Sequence, residues 1–287
     1  MTEGSIAKNI ILFYIPLAIG GLFQQLYSFV DSVVVGRGIG AQALAAVGAT
    51  SIVVWLTLGF AMGITKGFCI HISQAYGKKD YHLVNRGFFV ASVLSLIVGT
   101  MISIVGSLAI RDFLILMHTP EEILEQSLDY IKVILLGFVI TVLNNLFMSV
   151  LQSLGDSSTP FCALLVSSIT NVGLDCVFVL ILKWGVQGAA VATVLSRYTE
   201  TAIVVIWAHT HEKENTYMTG LYKTLSVPRD HVKKYFIKGT PLLLNEALWS
   251  FGMAVLAQNY SVRGLTVIAA MNIANTINNL FSVVFAA

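Results

Sequence analysis

A small set of ionisable and amide side chains stands where this chain is otherwise apolar, and these are the residues with chemistry to offer. Asp31 lies within Tyr27-Ser28-Phe29-Val30-Asp31-Ser32, and Asn171 and Asp175 are four residues apart, which places both on one face of a helix. A third acid, Glu246, sits in Asn245-Glu246-Ala247-Leu248-Trp249. An ionisable group at membrane depth costs several kcal/mol, on the order of 3 even by the mildest scale, so each is read first as functional. Two carboxylates facing each other in a low dielectric repel, and they relieve that repulsion by holding a cation between them or a proton on one of them. Either state can serve as a coupling switch.

Other polar positions offer less definite chemistry. Trp249 and Met253 follow Glu246 at helical spacing, and a carboxylate beside an aromatic ring and a thioether suits an organic cation, although ordinary packing accounts for the same pair. Arg197 and Glu200, three residues apart, are expected to neutralise each other. Asn272, Asn275, Asn278 and Asn279 form a polar stripe that either lines a pathway or joins helices. Pro16, followed by Gly20 and Gly21, either kinks the helix that carries Asp31 by deleting a backbone hydrogen bond or simply begins that span. Patterns of the HExxH, GxSxG and Walker types are absent from the sequence, so it reads as neither an enzyme nor the holder of a resident cofactor. Cys69, Cys162 and Cys176 lie in apolar runs without metal-ligand spacing and read as small core residues.

These residues must be positioned by elements that live in lipid. Charged residues make up 11% of the 287, against roughly 25% in soluble chains, and apolar residues 56%. The mean hydropathy is +0.80. A globule of this size has too little polar surface here, and a net charge of +2 without a dense basic patch excludes a nucleic-acid binder. Apolar runs long enough to cross a bilayer cover about residues 10–35, 47–74, 87–110, 128–151, 161–182, 189–208 and 241–261, with an eighth beginning near 266. Uninterrupted runs of this length are helices, because a barrel strand is about half as long and alternates. The fold class is therefore all-α, a polytopic helical membrane protein. Residues 113–127 read as a short surface helix opened by Thr119-Pro120-Glu121-Glu122. Lys and Arg concentrate around Lys66–Arg86 and Lys213–Lys238, which places the N-terminus in the cytoplasm; the expected location is the inner or plasma membrane.

Pro16-Leu17 recurs as Pro241-Leu242, and Gly40, Ala45 and Ala46 recur as Gly264, Ala269 and Ala270, about 225 residues later. With six spans between the copies, both start on the same face, so the repeat is parallel. The expected organisation is a complete six-helix N-terminal lobe at 1–208, a cytoplasmic linker at 209–240, and the truncated start of a second lobe at 241–287, within a two-lobe design of twelve spans.

Ile15-Pro16-Leu17, the stretch Leu26 to Arg37 and Ala43-Leu44-Ala45-Ala46-Val47-Gly48 resemble the first-helix signature of the multidrug and toxic compound extrusion family. Leu154-Gly155-Asp156-Ser157-Ser158-Thr159-Pro160, Asn171 to Asp175, and Gly185 to Thr193 resemble its fourth loop and its fifth and sixth helices. The resemblance implies export of amphipathic organic cations by alternating access, driven by inward flow of H+ or Na+, from a protein that is monomeric at full length. It implies a first-lobe coupling site at Asp31, Asn171, Asp175 and Thr193, whose oxygens suit Na+ or a proton. It also matches Pro16 to a helix-bending proline and Glu246 to a seventh-helix acid. A lipid-linked oligosaccharide flippase of related architecture is the alternative, disfavoured because Arg197 is alone in mid-span; a non-transporting fragment is another.

Overall fold

The computed structural model describes residues 5–117, 119–211, 229–261 and 274. Among them the chain is helical and no strand occurs: α1 (Ile6–Gly38), α2 (Ala41–Gly77), α3 (Tyr81–Leu116), α4 (Glu121–Leu136), α5 (Phe138–Ser153), α6 (Ser158–Asp175), a π-helical turn at Cys176–Ile181, α7 (Gly185–Thr210) and α8 (Arg229–Ser261). Six helices are long and apolar enough to cross a membrane, and α4 with α5, joined at a bend of 50°, pass the same test of length and composition when taken together. With that pair taken as one, the seven runs read from hydropathy correspond to seven candidate spans. The eighth, with its asparagine stripe, falls outside the described residues.

Polar punctuation sets the helix ends. Asp80 Oδ1 accepts the Leu83 amide at 3.0 Å and caps α3, while Asp156 Oδ1 accepts the Ser158 and Thr159 amides, both at 3.0 Å, and caps α6. Gly40, at φ 123°, turns the chain sharply between α1 and α2. Within the spans, hydroxyl groups donate back to carbonyls of their own helix, as Thr57 to Val53 at 2.8 Å and Thr65 to Ala61 at 2.9 Å, so few polar hydrogens meet hydrocarbon.

Two expectations are corrected. Residues 113–127 are not a surface helix: 113–116 finish α3, and the chain re-enters a helix at Glu121 that continues through the bend to Ser153. Glu121 and Glu122 do lie in the first turn, but Pro120 occupies the cap position and makes no side-chain cap bond. The second correction concerns Cys162, which is exposed, whereas Cys69 is buried as a core residue should be and Cys176 is intermediate.

The largest apolar cluster joins α2, α3, α5 and α7 through residues such as Ile72, Phe88, Leu146, Val150 and Val204. A second cluster carries Val35, Tyr130, Val179 and Ala189 to the far end of α1. On the outside the pattern inverts. Phe29 is 68% and Leu108 79% exposed, as lipid-facing side chains are. The α4–α5 bend falls at Gly137, where a Cβ atom would stand 2.5 Å from Val194 Cγ2, so only glycine lets the bent span approach α7 this closely. Pro16 and Pro241 both lie inside their helices rather than at the start of them. α8 begins at Arg229, well ahead of Pro241, and packs along α2, with Ser250 buried against Gly59.

Candidate functional site

α1 packs along α6 and then along the π turn. Asp31 is on that side of α1, and Asp175 is the last residue of α6, completely buried, with the wide π turn opening immediately after it. The two carboxyl groups lie close enough to interact directly. The Tyr130 hydroxyl, buried on α4, is within electrostatic range of Asp31, Asp175 and Tyr27. The geometry therefore gathers two acids and a phenol from α1, α4 and α6 at one place.

Asn171, one turn before Asp175, is 1% exposed. Its two amide heteroatoms, both Asp175 carboxyl oxygens and Asp31 Oδ1 are buried without a hydrogen-bond partner among the described residues. Buried oxygens left unpaired cost about 1–3 kcal/mol each, so such a concentration demands a compensating charge or donor. Every unpaired atom here but one is an oxygen, the donor type that a hard cation or a proton takes. Among the described residues no cluster of three or more His, Cys, Asp and Glu side chains is arranged to hold a metal ion.

The fourth position expected from the family resemblance stands differently. Thr193 is partly buried on α7, and its hydroxyl donates to Ala189 O of the same helix at 3.0 Å. Glu246 is half-buried on α8. On α8 the buried line runs through Ser250, whereas Trp249 is 54% and Met253 44% exposed.

A second polar assembly adjoins the acids. Arg197 Nη1 donates to Glu200 Oε2 at 2.7 Å, the mutual neutralisation that their spacing foretold. Its Nη2 donates to the Tyr27 hydroxyl on α1 at 3.0 Å, and Thr201 on the next turn donates to Asn144 Oδ1 on α5 at 3.2 Å. Tyr27, Ser167, Asn171, Ser196 and Arg197 line a narrow polar crevice between α1, α6 and α7. The sequence alone assigns no role to Tyr27 or Tyr130. The signal available for Tyr27 was its place one turn before Asp31, on the same helical face.

Comparison with known proteins places this geometry in context. The family model described as MatE matches residues 16–177. The chain is 26% identical over 280 residues to a probable multidrug resistance protein YoeA of Bacillus subtilis, covering 96% of the chain and 60% of that protein. To a probable multidrug resistance protein NorM of Thermotoga maritima it is 24% identical over 280 residues, covering 96% and 59%. Among solved structures, the outward-facing conformation of a multidrug resistance MATE family transporter of the MOP superfamily superposes with a TM-score of 0.88 at 29% identity, over 99% of this chain and 62% of that one. A MATE crystallised in the bent conformation superposes at 0.84 with 29% identity, over 98% and 62%. The chain spans about 60% of the length of the relatives it matches.

Proposed function

The chain belongs to the MatE family, and from that premise we propose that it forms the cation-coupling part of a secondary active multidrug exporter. The exporter takes amphipathic organic cations out of the cell in exchange for inward H+ or Na+ by alternating access. Asp31, Asp175 and Asn171 take up the coupling cation, and Thr193 joins them when its hydroxyl leaves Ala189. Pro16 removes the backbone donor that would otherwise pair with the Leu12 carbonyl, so α1 has a soft point between its N-terminus and Asp31. Residues 1–208 act as one lobe and 209–240 link it to a second lobe that starts at 241. Glu246, Trp249 and Met253 face the transported cation from that second lobe. The protein works as a monomer in the plasma membrane with its N-terminus in the cytoplasm.

The observation that carries this reading is the concentration of unpaired buried oxygens at Asp31, Asn171 and Asp175. A purely structural site would have satisfied them, since burying polar atoms without partners destabilises the fold. The flippase alternative gains nothing from the structure, because Arg197 is already paired with Glu200. The test is uptake of a fluorescent organic cation by inverted vesicles carrying the full-length protein, under an imposed sodium or proton gradient. Gradient-driven uptake that survives in Asp31→Asn would refute the assignment.

A further inference from the structure

Arg197 is a costly residue to keep inside a membrane lobe, and neutralisation alone does not account for its geometry. Pairing with Glu200 occupies one arm of the guanidinium. The guanidinium spends its second arm on Tyr27, a residue of another helix 170 positions away in sequence. Glu200 is buried, at 4% side-chain exposure, so it is a fixed anchor, and Thr201 ties the same stretch of α7 to Asn144 on α5. Arg197 is therefore braced from α7 and α5 and reaches out to α1. Tyr27 is one helical turn before Asp31, and its hydroxyl lies in the same electrostatic cluster as Tyr130, Asp31 and Asp175.

We propose that Arg197, braced by Glu200, is a positioning residue that holds α1 through Tyr27 so that Asp31 stays opposite Asp175. This deepens the reading above and rests on it, since it takes the two acids as the cation site. A rigid fork suits the role. Guanidinium holds two acceptors at once in a fixed plane, whereas a lysine ammonium on its flexible stem would hold one of them at a time. Prepaying the orientation of Asp31 in this way raises cation affinity without any contact between Arg197 and the cation. The direction of the effect separates positioning from simple electrostatics. A positive charge near the site repels the cation, so if charge were all that mattered, removing Arg197 would tighten binding. If Arg197 positions α1, removing it weakens binding.

The test uses the full-length protein in lipid nanodiscs, cysteine-free except for spin labels at Leu22→Cys on α1 and Ile206→Cys on α7, both exposed sites. Distance distributions are recorded while sodium chloride is titrated against choline chloride at constant ionic strength, and again while pH is titrated. Tyr27→Phe, which removes only the accepting oxygen, is expected to widen the α1–α7 distribution and to raise the half-saturating sodium or proton concentration about threefold to tenfold. Arg197→Lys and Arg197→Gln should shift it the same way, and Tyr27→Phe added to Arg197→Gln should shift it no further. An unchanged distribution and midpoint in Tyr27→Phe, or a lower midpoint in Arg197→Gln, overturns the proposal. If the parent's cation response survives Asp31→Asn, the cation-site reading fails instead, and the width of the Tyr27→Phe distribution still decides whether Arg197 holds α1.

Discussion

Asp31 on α1 and Asp175 at the end of α6 meet with their carboxyl groups within interaction range, 144 positions apart in sequence. Three features produce the meeting. α1 runs along α6, α6 stops being α-helical at Asp175, and the π turn that follows packs on the far part of α1. π-helical turns are rare and gather at functional sites, because a widened turn re-aims the side chains beside it. The pair is thus a product of packing, and it leaves Asp31 Oδ1 and both Asp175 oxygens buried without a hydrogen-bond partner among the described residues.

On the proposed reading the two acids take up one cation, so their substitutions should not add. Asp31→Asn and Asp175→Asn are each expected to cut gradient-driven transport at least about tenfold, with the double variant no worse than either single one. Initial rates in proteoliposomes check this. Two independent losses that multiply would show that the carboxyls serve separate steps.

Gly137 sets the bend between α4 and α5, and the methyls of Val194 stand 2.5 and 2.6 Å from where its Cβ would be. Gly137→Ala is expected to destabilise the lobe by about 1–3 kcal/mol through overpacking. Val194→Ala removes those methyls, so the pair Gly137→Ala with Val194→Ala should recover much of the loss. Thermal unfolding in detergent, followed by tryptophan fluorescence, reads both.

The ion pair of Arg197 and Glu200 separates two effects in the same measurement. Glu200→Ala leaves a guanidinium in the lobe without its carboxylate and should destabilise by about 3–5 kcal/mol. Replacing both residues with Met and Leu removes the charges together and should cost far less. Equal losses in the two variants would mean that the pair is not what holds these helices.

Asp156 caps α6 by accepting two backbone amides at 3.0 Å, in the loop that leads to Pro160. Asp156→Ala is expected to cost about 1 kcal/mol and Asp156→Asn much less, since Asn caps as well as Asp does. Hydrogen exchange at Ser158 and Thr159 is the direct check, rising in the alanine variant and staying slow in the asparagine one.

How far the site was legible differs from residue to residue. Asp31, Asn171 and Asp175 stood out because an ionisable or amide group in a hydrocarbon-facing run is expensive wherever it occurs. The pairing of Arg197 with Glu200 followed from helical spacing, which depends on nothing outside the helix. Tyr27 and Tyr130 were not distinguishable from anchoring or packing aromatics, because a phenol is tolerated at many depths and its role depends on what its hydroxyl meets. Residues 113–127 were misread for a similar reason. Thr119, Pro120 and two glutamates make a strong start signal, and that signal does not say whether the helix it opens stays at the surface or runs on into the bilayer.

Hydropathy and spacing were sufficient for the architecture, seven apolar runs in a helical membrane protein and the acids within them, while the place of Pro16 inside α1 came from the fold. Those properties follow from the cost of exposing backbone and charge to lipid, which each segment meets within its own length. The 50° bend at Gly137, the π turn after Asp175, the reach of Arg197 to Tyr27 and the meeting of Asp31 with Asp175 required the folded lobe. Each depends on which helix lies against which, a contest of close packing between segments far apart in the chain that no local pattern records.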